Sequence, residues 1–132
     1  MGKRIVIDTN IFISALGWKG KSRELLRRTI DGKYELFISV KQIKEIKRVI
    51  NYPKFRFSEK QKSRFLKMLF KIATIIETKI ELDVAEDPDD NMLLECAVEE
   101  NIDYIISGDK HLKKLKWFKG IKIISVADLI KL

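Results

Sequence analysis

Two aspartates follow predicted β-strands, at positions where an α/β sheet gathers polar side chains. Asp8 directly follows the apolar run at residues 5–7, and Asp109 comes just after the strand predicted over residues 104–107. Because parallel strands end at the same edge of a sheet, and ligands bind beyond that edge, we expect Asp8 and Asp109 to lie close together. Each also has an ordinary structural interpretation, Asp8 as the cap of a helix and Asp109, after Gly108, as a turn residue.

A third acid, Asp90, falls where the helical pattern requires an apolar residue. The helix predicted to start at Asp87 and Pro88 has an apolar stripe formed by Leu93, Leu94, Ala97 and Val98. At roughly 100° per residue Asp90 projects from the middle of this stripe, where a carboxylate is costly unless a partner satisfies it. The alternative, stabilisation of a first-turn acid by the helix dipole, applies equally to Asp89, which lies off the stripe and can be solvated. We therefore favour a functional role for Asp90.

The fourth acid, Glu45, lies at the flank of the buried face of a helix that Ser39 and Gln42 are predicted to open as a capping box. Two interpretations fit this position. Glu45 can lean over the sheet edge toward Asp8, or it can form a surface ion pair with Lys41 or Arg48 on its own helix. The pattern leaves both open.

Convergence of the four acids would create a negative site that needs a cation. The chain has one histidine and one cysteine, so the ligands would be carboxylate oxygens, which favour magnesium or manganese over zinc. Such a metal polarises a phosphoryl oxygen and lowers the pKa of a bound water. An acidic metal site within a basic protein is what hydrolysis of a nucleic-acid phosphodiester bond requires.

The net charge favours a polyanionic partner. The chain has 132 residues, with 27 lysines and arginines against 19 aspartates and glutamates, a net charge of +8. Such a charge attracts nucleic acid over a long range. Four clusters carry it: Lys19, Lys21, Arg23, Arg27 and Arg28; Lys41, Lys44, Lys47 and Arg48; Lys60, Lys62, Arg64, Lys67 and Lys71; and Lys110, Lys113, Lys114, Lys116, Lys119 and Lys122. One cluster alone fits a solvated helix face, whereas all four together favour nucleic acid over an anionic membrane.

Aromatic residues lie among these cations. Trp18, in a basic loop near Asp8, fits base stacking and ordinary exposure equally well. For Trp117 and Phe118 we expect instead that they anchor the last strand to the core.

Strands alternate with helices along the whole sequence. Strands are predicted over residues 4–7, 34–38, 73–77, 104–107 and 122–124, and helix N-caps at Ser22, Ser39, Ser58, Asp87 and Ser125. This alternation predicts an α/β fold with three α/β/α layers, a central, mainly parallel sheet of about four to five strands, and one domain over residues 1–132. No apolar run has the length of a membrane helix, no signal peptide is recognisable, and one cysteine fits a cytoplasmic protein.

Four segments of the sequence resemble the PIN-domain ribonucleases. Residues 5–10 read IVIDTN, like the opening strand and first acid of that family, and residues 39–46 read SVKQIKEI, like the helix of its second acid. Residues 87–91 read DPDDN and residues 104–109 read YIISGD, like the segments of its third and fourth acids. The subgroup closest in pattern is the one described as toxin components of toxin–antitoxin systems. The similarity spans nearly the whole chain and keeps the acids in order.

This resemblance implies a magnesium- or manganese-dependent endoribonuclease with a PIN-like fold. It makes Asp8, Glu45, Asp90 and Asp109 the catalytic metal ligands, with Asn10 and Ser107 as supporting polar residues; Ser107 stands where the subgroup usually has threonine. It further implies an RNA substrate, an antitoxin protein as a partner, and a homodimer.

Two other functions are compatible with parts of the pattern. A non-catalytic RNA-binding module on the same fold would use the basic clusters and cleave nothing, but four intact acids argue against it. A phosphoacceptor receiver domain also gathers acids at strand ends. It pairs two acids after its first strand, however, where this chain has only Asp8.

Overall fold

Strands and helices alternate from the beginning of the chain to its end. The computed structural model describes residues 2–132. The strands are β1 (Lys3–Ile7), β2 (Tyr34–Ser39), β3 (Ala73–Ile76), β4 (Tyr104–Ile106), β5 (Trp117–Phe118) and β6 (Ile121–Ile124). The helices are α1 (Thr9–Gly17), α2 (Lys21–Ile30), α3 (Val40–Val49), α4 (Glu59–Ile72), α5 (Pro88–Glu99), α6 (Lys110–Lys113) and α7 (Val126–Lys131). A single 3-10 turn, Pro53–Phe55, precedes α4.

One sheet runs through the molecule in the order β3-β2-β1-β4-β6-β5. All neighbouring pairs are parallel except β5 and β6. The chain builds outward from β1 through β2 to β3 and then crosses to the opposite side of β1 to form β4. The order of the strands therefore reverses between β1 and β4, which is the kind of switch point where open α/β sheets bind ligands.

Side chains from β1 reach both faces of the sheet and fix a three-layer arrangement. Ile5 and Ile7 are fully buried in one core, beneath α1, α2, α3, α4 and α7. Val6 is fully buried in the second core, beneath α5 and α6, with Leu94 and Leu112. Because successive residues of a strand face opposite sides, burial on both sides requires helices on both faces. The predicted α/β/α fold with a mainly parallel sheet is confirmed.

The sheet has six strands where four to five were predicted. The five expected strands form, and the additional one is the two-residue strand β5, which pairs antiparallel with β6 at the edge. A strand this short has no alternation to detect. Phe118 packs against the second core as expected, but Trp117 is 59% exposed and does not anchor the strand.

Two N-terminal capping predictions need correction. Helix α2 begins at Lys21 with Gly20 at the cap position, rather than after Ser22. Ser39 does cap α3 by accepting the Gln42 backbone N–H, but the Gln42 side chain does not return the bond. It is buried and donates instead to the Ile7 carbonyl oxygen at 2.6 Å, which ties α3 to the end of β1.

No helix within residues 2–132 is both long and apolar enough to span a bilayer.

Candidate active site

The four acids singled out in the sequence line one cavity at the switch point of the sheet. The cavity has a volume of about 140 Å³ and contains Asp8 after β1, Glu45 on α3, Asp90 on α5 and Asp109 before α6. Asp87 and Asp89 lie on the same wall. Two strand ends and two helices thus bring six carboxylic acids to one small space.

Asp8 is placed by the pairing of β1 with β4. Its backbone N–H donates to the Ile106 carbonyl oxygen at 2.9 Å, which sets Asp8 beside Ser107. The Ser107 hydroxyl donates to Asp8 Oδ2 at 2.8 Å and accepts the backbone N–H of Asp109 at 3.0 Å. One buried hydroxyl therefore connects two of the four acids. This contact gives Ser107 the supporting position that the resemblance implied.

Asp8 also caps a helix, so both of its interpretations apply. Its Oδ1 accepts the backbone N–H of Asn10 at 3.2 Å at the start of α1. The Asn10 side chain is exposed and lines the cavity. Burial raises the pKa of Asp8 above its usual value, although the Ser107 hydrogen bond opposes this rise.

Glu45 leans toward the sheet edge, and the surface ion pair considered for it does not form. Its Oε1 accepts a hydrogen bond from the Thr9 hydroxyl, directly after Asp8. The Gln42 amide donates to that same hydroxyl oxygen at 3.3 Å. Lys41 instead forms an ion pair with Glu95 at 3.0 Å.

The carboxyl of Asp89 contacts that of Glu45. Burial and this contact raise the pKa of Glu45 to about 7. The side chain of Asp89 is exposed, as the sequence predicted, but it belongs to the cavity and is not merely solvated.

Asp90 occupies the position that its place on the helical stripe indicated. It lies in the first turn of α5 after the N-cap Asp87 and is only 5% exposed. Burial, followed by the negative charges of Asp109 and Asp87, raises its pKa to about 6. Among residues 2–132 no hydrogen-bond donor satisfies its carboxylate. Asp90 is thus a buried acid without a protein partner.

Asp109 serves as a helix cap in addition to lining the cavity. Its Oδ1 accepts the backbone N–H groups of His111 and Leu112, at 2.7 and 3.3 Å, at the start of α6. The turn interpretation of Asp109 and the site interpretation are therefore both compatible with its position.

Three polar residues of the cavity were not identified as site residues from the sequence. Thr9 holds Glu45, while Arg48 and Tyr52 line the cavity on the side of α3. Arg48 was considered only as a surface partner for Glu45. For Arg48 the signal was available, because a residue three positions after Glu45 lies on the same side of the helix, whereas Tyr52 lies beyond the end of α3.

The acids also border a second cavity. It has a volume of about 490 Å³ and shares Asp8, Asn10 and Asp109 with the first. The hydroxyl-bearing residues of its far wall are Ser14, Ser22 and Ser125. The carboxylates therefore stand between two open spaces, one on the side of Tyr52 and one on the side of α7.

The donor set fits a hard divalent cation, although the side chains are not yet arranged as ligands. Within the described residues, no three aspartate, glutamate, histidine or cysteine side chains form a group close enough to hold a metal. The three carboxylates instead accept hydrogen bonds from protein groups. Asp8 accepts one from Ser107, Glu45 one from Thr9, and Asp109 one from the backbone at the start of α6. The acids of the cavity nevertheless offer oxygen ligands only, and burial together with the neighbouring acids raises the pKa values of Glu45 and Asp90. An oxygen-only donor set suits magnesium or manganese.

Comparisons with known proteins agree with this architecture. The model of the PIN domain family matches residues 4–111. An uncharacterized protein of Methanocaldococcus jannaschii is 35% identical over 120 residues, covering 86% of this chain and 75% of the relative. The crystal structure of VapBC2 from Rickettsia felis, bound to a DNA fragment from its promoter, matches with a TM-score of 0.64. That match has 15% identity and covers 91% of this chain and 96% of the other.

The family match extends over most of the chain and includes all four acids. It excludes the phosphoacceptor receiver domain that the acids alone had left open. PIN domains are typically nucleases, which agrees with a carboxylate cavity at the edge of the sheet. This chain belongs to the PIN domain family.

Proposed function

We propose that the chain is a metal-dependent endoribonuclease whose catalytic metal ligands are Asp8, Glu45, Asp90 and Asp109. The observation that carries this proposal is the convergence of these acids, from four separate elements, on one cavity at the switch point. Asp90 is the most informative of them, because a buried carboxylate without a hydrogen-bond donor is costly unless something else compensates its charge. A divalent cation supplies that compensation.

The protein groups around the acids hold them in position for this chemistry. A bound magnesium or manganese ion would polarise a phosphoryl oxygen and lower the pKa of a water molecule. Ser107 fixes the orientation of Asp8, and Thr9 fixes that of Glu45. Arg48 places a positive charge on the cavity wall, where it can contact a phosphate of the substrate.

The two cavities support cleavage within a strand. Because Asp8, Asn10 and Asp109 border both spaces, a nucleic-acid strand can pass the acids and continue on each side. The basic surface adds attraction for the phosphates of such a strand.

We further propose that an antitoxin protein restrains this activity. The support comes from the fold match, since VapBC2 of Rickettsia felis is a complex of two proteins. A groove of about 330 Å³ between α1, α2 and α4 supplies an apolar surface, and its residues include Leu16, Leu26, Ile30 and Met68. Ile30 is 53% exposed there. We expect an apolar segment of the antitoxin to cover this groove. The predicted homodimer is tested separately, by the molar mass of the purified chain in solution.

The central test is cleavage of a structured and an unstructured RNA with manganese or with a chelator, followed by mapping of the product ends. We expect internal cuts that require the metal and that disappear in Asp8→Asn. Activity that persists after complete removal of divalent ions would contradict the proposal. RNA binding without cleavage at any metal concentration would favour the non-catalytic binding module instead.

A further inference from the structure

Four aromatic rings form a continuous strip that begins at the carboxylate cavity. Tyr52 lines the cavity and stacks on Phe55, with ring centres 6.3 Å apart and an angle of 8° between the planes. Phe55 stacks on Phe57 at 5.4 Å and 11°. Phe57 meets the ring of Trp18 edge-on at 6.4 Å. We call these four residues the aromatic strip.

The backbone around the strip has the features needed to bring these rings together. Phe55 ends the 3-10 turn, and Arg56 adopts a left-handed conformation with φ of 52°, which turns the chain between the two stacked phenylalanines. At Gly17 an added Cβ would lie 3.0 Å from Phe57 Cε1, closer than packed atoms normally approach. A larger residue at position 17 would therefore make the Phe57 ring shift by a few tenths of an ångström.

Packing in the core explains only the middle of the strip. Phe55 and Phe57 are partly buried against the first core, as aromatic side chains usually are. Trp18 is 57% exposed and Tyr52 is 37% exposed, and these two rings form the ends of the strip. Trp18 directly follows the end of α1, whose start is capped by Asp8.

Cations accompany the strip along its whole length. Lys54 and Arg56 alternate with the two phenylalanines, and Lys19 follows Trp18 directly. All three are exposed, and Lys54 Nζ lies 5.2 Å from the centre of the Phe55 ring. None of the three has a carboxylate partner among residues 2–132.

We propose that the aromatic strip is a subsite that takes the unpaired bases on one side of the scissile phosphate. Exposed rings interleaved with free cations are the combination that binds single-stranded nucleic acid, because the rings stack on bases while the cations follow the phosphates. Tyr52 would contact the nucleotide nearest the acids, and Trp18 one farther along the strand. This inference rests on the proposed ribonuclease function and adds the residues that select unpaired nucleotides.

The charges favour nucleic acid over a protein as the occupant. A protein partner would meet an uncompensated row of cations, whereas a strand of RNA brings one phosphate for each base.

The test compares binding of end-labelled oligonucleotides in the presence of a chelator, so that cleavage plays no part. We expect Trp18→Leu and Tyr52→Leu each to weaken binding of an unpaired 12-nucleotide RNA about fivefold or more, the loss typical of one stacked base. Tyr52→Phe keeps the ring and should bind like the parent. An oligonucleotide with abasic sites keeps its phosphates, so it should bind the parent weakly and should not distinguish the parent from the two leucine variants.

Trp117→Leu is the matched control, because Trp117 is equally exposed and lies near lysines but far from the cavity in the sheet order. It should leave binding of the unpaired RNA unchanged. Equal binding by the parent, Trp18→Leu and Tyr52→Leu would overturn the inference, and so would equal affinity for the abasic oligonucleotide. If the parent then still cleaves RNA, the proposed function stands and only the subsite falls. If the parent binds no RNA at all, both the proposed ribonuclease function and the proposed subsite are wrong.

Discussion

The carboxylates of this site are stabilised unevenly by the protein, and Asp90 receives the least help. Asp8 accepts two hydrogen bonds, Asp109 accepts two, and Glu45 accepts one from Thr9. Asp90 accepts none in the described part of the chain, although it is almost fully buried. In the proposed function, a bound metal would offset the cost of this charge.

Asp90→Asn should abolish metal-dependent cleavage while leaving the metal-free chain at least as stable as the parent. The substitution keeps the shape of the side chain and removes a charge that burial and neighbouring acids oppose. Manganese should raise the melting temperature of the parent more than that of the variant, because a ligand of the folded state stabilises it. Melts of both chains, with chelator and with manganese, measure this difference.

The control for that comparison is Asp83→Asn. Asp83 is exposed, makes no side-chain hydrogen bond among the described residues and lies outside both cavities, so neither melt should change much. Asp89 is unsuitable despite its exposure, since its carboxyl contacts Glu45. A clear loss of stability in metal-free Asp90→Asn would show that Asp90 is structural, and the site assignment would then be wrong.

The raised pKa values make the stability of the metal-free chain depend on pH in a definite direction. Folding raises the pKa of Asp8, that of Asp90 to about 6 and that of Glu45 to about 7. An acid whose pKa is raised in the folded state binds protons more tightly there. Below its unfolded pKa, this tighter binding makes its full contribution to the free energy of unfolding. That stability is lost as pH rises through the folded pKa.

We therefore expect the free energy of unfolding of the metal-free chain to fall between about pH 5 and pH 8. Denaturant unfolding in chelator across this range provides the measurement. Manganese should reduce the fall, because it binds the ionised acids and competes with protons. In Asp90→Asn the fall should be smaller than in the parent. If the stability of the parent instead rises over this range, the conclusion that burial and neighbouring acids raise these pKa values is wrong.

At the scale of secondary-structure elements, α3 reaches the site through one buried amide. Gln42 donates to the Ile7 carbonyl oxygen at the end of β1 and to the hydroxyl of Thr9, which in turn holds Glu45. The first turn of α3 is thereby fixed to the strand that carries Asp8. The position of Glu45 relative to Asp8 depends on these hydrogen bonds of Gln42 more than on the hydrophobic face of α3.

Gln42→Ala should lower the free energy of unfolding by about 1–3 kcal/mol, because it leaves the buried Ile7 carbonyl without its donor. It should also weaken metal binding, since Thr9 and Glu45 lose their fixed orientation. Gln61→Ala is a matched control. Gln61 occupies the same place in the capping box of α4, but it is exposed and remote from the cavity, so the loss should be smaller and metal binding unchanged. Equal effects of the two substitutions would contradict the link between α3 and the site.

The elements differ in how well the sequence predicts them, and the reasons are physical. The buried strand β1 and the amphipathic helices α3, α4 and α5 have periodic patterns, and their positions were predicted to within a few residues. Helix α1 was not predicted as a helix, because it is covered by the sheet and neighbouring helices and carries apolar residues around most of its circumference. The single-turn helix α6 and the two-residue β5 are too short for any period.

The site was predictable to the extent that each residue had a local signal. Asp90 could be identified from one helix alone, because it interrupts an apolar stripe. The orientation of Glu45 could not, since it depends on Thr9, a residue on a different element. The contact between Asp89 and Glu45 likewise joins two helices, and no single-helix pattern could indicate it.

At the scale of the whole molecule, ion pairing redistributes the positive charge that the sequence shows. Among the described residues, four of the 27 lysines and arginines form ion pairs, namely Arg27, Arg28, Lys41 and Lys62. The cluster on α2 is thus partly neutralised by Glu24, which pairs with two arginines. The cations of α3 nearest the cavity and those after Asp109 stay free. These unpaired cations beside the site therefore remain available to attract a polyanion.

This distribution makes a quantitative prediction about salt. Binding of single-stranded RNA in chelator should weaken with rising salt, with a log–log slope of about −0.7 for each phosphate contacted. Arg48 lines the cavity and is unpaired within residues 2–132, so Arg48→Ala should make the slope less steep by about 0.7. Arg27→Ala removes the same charge from α2, outside both cavities, where Glu24 remains paired with Arg28. Its slope should match that of the parent. Titrations of an end-labelled oligonucleotide at several salt concentrations measure all three slopes, and equal changes for the two variants would show that only net charge matters.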